Sequence, residues 1–258
     1  MSIVFFDSGM GGITVLREAL TLLPGQEFLY YADTGHVPYG KRTAEEVRSL
    51  VIRAVETIVQ RERPRALVVA CNTATSVAIE SLRKISPFPV IGMEPAVKPA
   101  LEHEKVSGRR VLVLATPLTL SQEKYSDLVS RLDSEGQVDS LPLPGLVDLV
   151  EQEDFRMDKA RAYLQEAFSS LKREDYGTIV LGCTHFPFFK KEIASFFSPY
   201  ADVIDGNKGT VLQLIRRLGP SPRAEREAPG PVVFMSSGDV DKDRGKFFRL
   251  MERYQGSR

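Results

Sequence analysis

Leu67-Val68-Val69-Ala70-Cys71-Asn72-Thr73 and Ile179-Val180-Leu181-Gly182-Cys183-Thr184-His185 are the stretches on which the reading of the fold turns. Each is an apolar run, a small residue, a cysteine, then hydroxyl or amide side chains. They lie 112 positions apart. Ile3-Val4-Phe5-Phe6-Asp7-Ser8 and Val111-Leu112-Val113-Leu114-Ala115-Thr116 echo each other at an offset of 108. Two pairs at nearly one offset suggest two related α/β halves. Chance similarity among parallel strands is the alternative.

Outward from these stretches, the sequence predicts strands near Ile3–Phe6, Phe28–Ala32, Ala66–Ala70, Val90–Ile91, Val111–Leu114, Val138–Leu141, Thr178–Leu181, Asp202–Ile204 and Val232–Met235. Many are continuously apolar, as strands covered on both faces of a parallel sheet are. Helical patterns lie between them. One begins at Thr43, with Glu46 three residues on as a capping box and Val47, Leu50, Val51, Ala54, Val55, Ile58 and Val59 at helical spacing. Pro64 follows its end. A second is predicted over Met157–Lys172, and a last one from about Lys242. This βαβ rhythm argues for an α/β protein with doubly wound sheets. The Pro- and charge-rich segment Gly219–Gly230 reads as an exposed linker.

Composition narrows the function classes. The 258 residues suffice for one large α/β domain or two smaller ones. Lys+Arg and Asp+Glu are both 34, so the formal charge is zero and a basic nucleic-acid binder is disfavoured. No apolar run suggests a membrane span. The opening MSIVFFDSGMGG has no basic n-region and does not read as a signal peptide. Two cysteines exclude a disulfide scaffold and fit a cytoplasmic protein with reduced thiols. Three histidines without a His/Cys cluster predict no metal site.

Ligands of open α/β sheets collect at the carboxyl ends of strands. After the first predicted strand comes Asp7-Ser8-Gly9-Met10-Gly11-Gly12, a tight turn with backbone donors near a helix start. It serves a ligand, or it is a plain turn capped by Asp7. After the second comes Thr34-Gly35-His36-Val37-Pro38-Tyr39-Gly40-Lys41, a binding loop or a surface turn. Cys71 and Cys183 both end strands, before predicted helix starts that favour thiolate, and His185 is close enough to act as base or counter-charge. Either cysteine alone also reads as a core residue. Asn72 and Thr73 also read as caps. Two thiols at matching strand ends fit inversion at a carbon. A racemase removes a proton from one face and delivers one to the other, in both directions, so it needs two matched acid/base groups. Amide, hydroxyl and backbone donors can stabilise the carbanion-like charge.

At these residues the sequence resembles the cofactor-independent glutamate racemase family. The resemblance rests on Asp7 to Val15, Ala32-Asp33 through Pro38-Tyr39-Gly40, Ala70 to Ala74, Gly92-Met93-Glu94-Pro95-Ala96, Ala115-Thr116 to Thr119, and Leu181 to His185, in the family's order. It implies two Rossmann-like doubly wound domains related by pseudo-symmetry, with the active site in the cleft between them. The implied division is 1–95 plus 208–258, and 96–207. It implies that Cys71 and Cys183 are acid/base thiols, with Asp7 assisting the first and His185 the second. Ser8, Tyr39, Gly40, Asn72, Thr73 and Thr184 would bind substrate, as would Asp7 and His185, with Thr116, Thr119 and Glu151 close by. Glutamate is the implied substrate, with D-glutamate supplied for peptidoglycan, and no cofactor and no metal are implied. No nucleic-acid or membrane partner is expected; oligomeric state stays open, a homodimer included. Phe186 stands where the family often has Tyr, a lost hydroxyl that bears on hydrogen bonding in the pocket. The rivals are a relative acting on aspartate, a Cys–His hydrolase or amidotransferase using Cys183 and His185, and a non-catalytic α/β binding module.

Overall fold

The computed structural model describes residues 2–219 and 230–254. Among them each predicted apolar run forms a strand: β1 Ile3–Asp7, β2 Phe28–Ala32, β3 Ala66–Val69, β4 Val90–Gly92, β5 Arg110–Ala115, β6 Val138–Pro142, β7 Tyr176–Leu181, β8 Asp202–Asp205 and β9 Val232–Ser236. The helices are α1 Ile13–Leu22, α2 Ala44–Arg61, α3 Asn72–Ile85, α4 Val97–Glu104, α5 Pro117–Leu120 and α6 Glu123–Leu132. They continue as α7 Pro144–Glu151, α8 Met157–Ala167, α9 Lys190–Phe197, α10 Asn207–Leu218 and α11 Val240–Arg253.

The strands make two parallel sheets, ordered β4-β3-β1-β2-β9 and β6-β5-β7-β8. Without the edge strand β9, the two orders are the same. β1 and β5 hold corresponding places, as do β3 and β7, so both sequence echoes fall on topologically equivalent strands. In each sheet the chain leaves the first strand toward one neighbour and later returns on its other side. These reversals lie between β1 and β3 and between β5 and β7, where open α/β sheets place their crevices.

Side chains alternate across a strand. Val4 and Phe6 of β1 therefore join a cluster with α2 and α3, while Ile3 and Phe5 face the other way. Both faces are covered, which is why these strands read as unbroken apolar runs. The second cluster is shared. It continues from Ile3 and Phe5 through Leu112, Leu114, Ile179 and Leu181 of the second sheet to Phe168, Phe189 and Phe197. The two sheets are thus joined by one apolar core. The chain crosses to the second sheet after β4, and α10 and β9 return to the first, α10 packing on α1 and β4.

Local signals explain most element ends. Thr43 accepts from the Glu46 N–H at 3.2 Å and Glu46 accepts from the Thr43 N–H at 2.9 Å, the predicted capping box. α8 stops at Ala167, short of the predicted Lys172. Phe168 leaves the helix to stack edge-on against Phe196 and Phe197, and exposed serines, weak helix formers, follow it. The predicted linker Gly219–Gly230, apart from its two end residues, lies outside the described residues.

Because Phe168 belongs to the core that spans both sheets, Phe168→Ala should lower stability by about 3–5 kcal/mol. Urea titration should show one transition, with tyrosine fluorescence and far-UV signal moving together; separated transitions would show that the halves unfold independently.

Candidate active site

A pocket of about 420 Å³ lies where the carboxyl ends of the two sheets meet. The loops of the first sheet bring Ser8, Tyr39, Gly40, Cys71, Asn72 and Thr73 to it. Those of the second bring Thr116, Cys183, Thr184 and His185. Ten of the sequence-predicted residues therefore share one wall-to-wall space. Three others, Asp7, Thr119 and Glu151, do not line it and stand behind its walls. Lys41 and Asp148, paired at 2.9 Å, bridge the halves, and Lys41 lies on the pocket. His36 binds Asp33, and His103 lies with Glu104 and Thr178; neither reaches the pocket.

The two thiols are held differently. Cys71 is the N-cap of α3; its sulfur accepts from the Ala74 N–H at 3.4 Å and lies 3.4 Å from the Ser8 hydroxyl. The helix N-terminus favours negative charge there. The sequence predicts the same for Cys183, and the structure corrects this. After Cys183 the chain makes a 3₁₀ turn over Phe186–Phe189, containing Pro187, and α9 starts only at Lys190. The buried rings of Phe186 and Phe189 pull this segment into the core. The counter-charge at Cys183 is instead His185, with Nδ1 at 3.6 Å from the sulfur. Phe186 is fully buried and is not among the residues that line the pocket.

Polar groups line the rest. Thr73, Thr116 and Thr119 form a closed set of hydroxyl contacts at 2.9–3.2 Å that joins the two halves. Asn72 donates to the Met93 carbonyl at 3.1 Å, while its buried Oδ1 has no partner among the described residues. That oxygen is an acceptor suited to an ammonium group. The Tyr39 hydroxyl donates to Asp33, and burial together with that carboxylate holds the phenol above its ordinary pKa.

Burial dominates the electrostatics. It raises Asp7 to about 6, against the opposing pull of His185 and the Gly9 N–H. Burial and the neighbouring Asp7 charge push the Cys71 thiol up to about 12. For Glu151 burial acts upward but is outweighed by His185 and Lys246, which bring it down to about 2. For His185 burial acts downward, and Cys183 and Glu151 outweigh it and hold the ring well above its ordinary value. An imidazole that favours its proton thus faces one sulfur, while the other feels the charge of a carboxylate that burial makes hard to ionise.

Residues 14–214 match the model of the Asp/Glu/Hydantoin racemase family. The chain is 50% identical to the glutamate racemase of Halothermothrix orenii over 95% of this chain and 96% of that one. It is 46% identical to glutamate racemase 2 of Bacillus subtilis, over 98% and 96%. Among solved structures, Escherichia coli glutamate racemase in complex with L-glutamate and the activator UDP-MurNAc-Ala superposes with a TM-score of 0.82 at 28% identity, covering 99% of this chain and 96% of that one. The chain belongs to the Asp/Glu/hydantoin racemase family and, within it, to the glutamate racemases. It is an isomerase.

Sequence reasoning missed Lys41 as part of the rim and Lys246 as the second partner of Glu151. The glycines of the first loop did carry a signal. A Cβ on Gly11 would collide with Nδ1 of His185 and Oγ1 of Thr184. Gly11→Ala should therefore displace both and cost activity while Gly209→Ala, in open space, should not; steady-state turnover compares them. Asp7 yields a pH prediction. Its folded pKa lies above its unfolded one, so ionisation destabilises the fold, an effect that grows from pH 3.8 to about 6 and is full above that. Asp7→Asn should raise the melting temperature at pH 8, the gain shrinking toward pH 4 in thermal denaturation scans. A gain equal at both pH values would assign it to something other than charge.

Proposed function

We propose that this enzyme interconverts L- and D-glutamate without a cofactor, using Cys71 and Cys183 as paired acid/base groups. One observation carries the reading: two thiols from topologically equivalent strand ends of different sheets line one pocket. One sulfur accepts the α-proton on one face. The other, still protonated, delivers its own proton to the opposite face of the resulting carbanion. The configuration inverts, the thiols end with their protonation states exchanged, and the reverse reaction repeats the steps from the other side.

The surrounding groups fit that cycle. His185, held protonated, stabilises negative charge on Cys183. Cys71 rests protonated, poised to donate. When it must act as base, the α3 N-terminus, the Ser8 contact and a substrate ammonium nearby all favour its anion. Asp7 acts through its charge and through Thr184, whose hydroxyl lies 3.3 Å from it, rather than by touching substrate. Asn72 Oδ1 is suited to the ammonium, and Ser8, Thr73, Thr116 and Thr184 to the carboxylates. We further propose two working lobes, 1–95 plus 208–258 and 96–207. Glutamate would be handled in the cytoplasm, and its D-form would feed peptidoglycan synthesis.

The test is polarimetry. Purified protein in buffered L-glutamate, with nothing else added, should bring the optical rotation to zero. Cys71→Ser and Cys183→Ser should each slow turnover of both enantiomers by about a hundredfold or more, the usual scale of a positioned acid/base group. A Cys–His hydrolase would tolerate Cys71→Ser, so wild-type rates in that variant would overturn the two-thiol reading.

A further inference from the structure

α11 packs on the first sheet against β9 and α1, yet several of its side chains reach the second half, and one of them, Lys246, is nearly buried there. Lys246 Nζ donates to Glu151 Oε2 at 2.5 Å and to the Glu151 carbonyl at 2.6 Å. Glu151 is the last residue of α7. Its other oxygen, Oε1, lies 2.8 Å from His185 Nε2 and accepts from the Met10 N–H at 2.8 Å. His185 Nδ1 in turn faces the Cys183 sulfur. Lys246, Glu151, His185 and Cys183 therefore form one continuous polar chain. It is nearly dry: the Lys246 and Glu151 side chains are 12% and 10% exposed.

A buried carboxylate with one oxygen unbalanced is costly, and it turns toward whatever donor remains. Lys246 supplies the balance at Oε2 and leaves Oε1 aimed at the imidazole. It also neutralises the carbonyl end of α7. Glu151 can then hold His185 by one ring nitrogen while the other addresses sulfur, the way an outer partner orients a working imidazole. Lys246 and Met10 come from the first half and Glu151 and His185 from the second, so the chain is complete only when the halves are closed.

We propose that Lys246 is a positioning residue for the Cys183 side of the reaction, acting through Glu151 on His185. This rests on the racemase reading above. A neighbouring pair provides the control. Arg249 of the same helix forks onto Glu153 at 2.7 Å, binding the same two segments, but it is exposed and leads no further.

The enantiomers have equal free energy in achiral solution, so kcat/KM must stay equal in the two directions in any variant. What can change is which proton transfer limits the rate. Slowing transfer at Cys183 should raise the α-deuterium isotope effect for the enantiomer whose proton Cys183 takes and lower it for the other. Lys246→Met is expected to reduce kcat/KM about tenfold to a hundredfold, the range seen when an outer-shell partner is removed, with the isotope effects diverging in this way. Lys246→Arg should restore most of the rate. Arg249→Met should leave rate and isotope effects as in the wild type. If Lys246→Met folds poorly, Lys246→Gln, which keeps a donor without the charge, is read by the same criteria. Wild-type rates in the variant that folds, or a rate loss with both isotope effects unmoved, overturns the proposal. Wild-type protein that leaves the rotation of L-glutamate unchanged removes the racemase reading and this inference with it.

Discussion

The carboxyl ends of two parallel sheets are held opposite each other by a single apolar cluster, and the chemistry depends on that apposition. Phe5 of the first sheet and Leu114 of the second belong to the same cluster. Each sheet alone offers half a site: a strand-end cysteine, a hydroxyl or two, and a turn. Set face to face, the halves enclose a pocket and remove water from the groups around it. Loss of water is what makes their charges matter, since interactions weak in a high dielectric become strong in a low one.

The pocket solves one requirement in two ways. On the proposed function each thiol gains and loses a proton, and so needs help carrying negative charge. On the first side that help is the N-terminus of α3 and the Ser8 hydroxyl. On the second, a buried turn displaces the helix start, and an imidazole takes over. The equivalence of β3 and β7 is thus topological, while the electrostatics of the two sides differ. Asp7 and Glu151 make the same point. Both carboxylates are buried, yet one is raised by desolvation and the other lowered because His185 and Lys246 compensate it.

Polar contacts between the halves sit at the pocket or directly behind its walls. The Thr73, Thr116 and Thr119 hydroxyls meet in its wall, Lys41 and Asp148 bridge its rim, and Glu151 accepts from Met10 behind it. Any relative movement of the halves would therefore disturb the polar contacts around the pocket.

Read alone, the sequence determined the strands and the cysteine-bearing strand ends, and suggested the repeat. Strands buried on both faces leave uninterrupted apolar runs, and the residues that follow them are set by a few local bonds. The capping box at Thr43 was legible for the same reason: its partners are three residues apart. The end of α8, the turn after Cys183 and the place of Phe186 were not, because aromatic rings packing at long range override local propensity. Nor was Lys246, whose partner Glu151 lies 95 positions away. Only the tertiary structure decided which groups stand on the pocket wall and which behind it, and which buried charges are balanced. Those properties depend on distance through space and on exclusion of water, and neither is written in the spacing of residues along the chain.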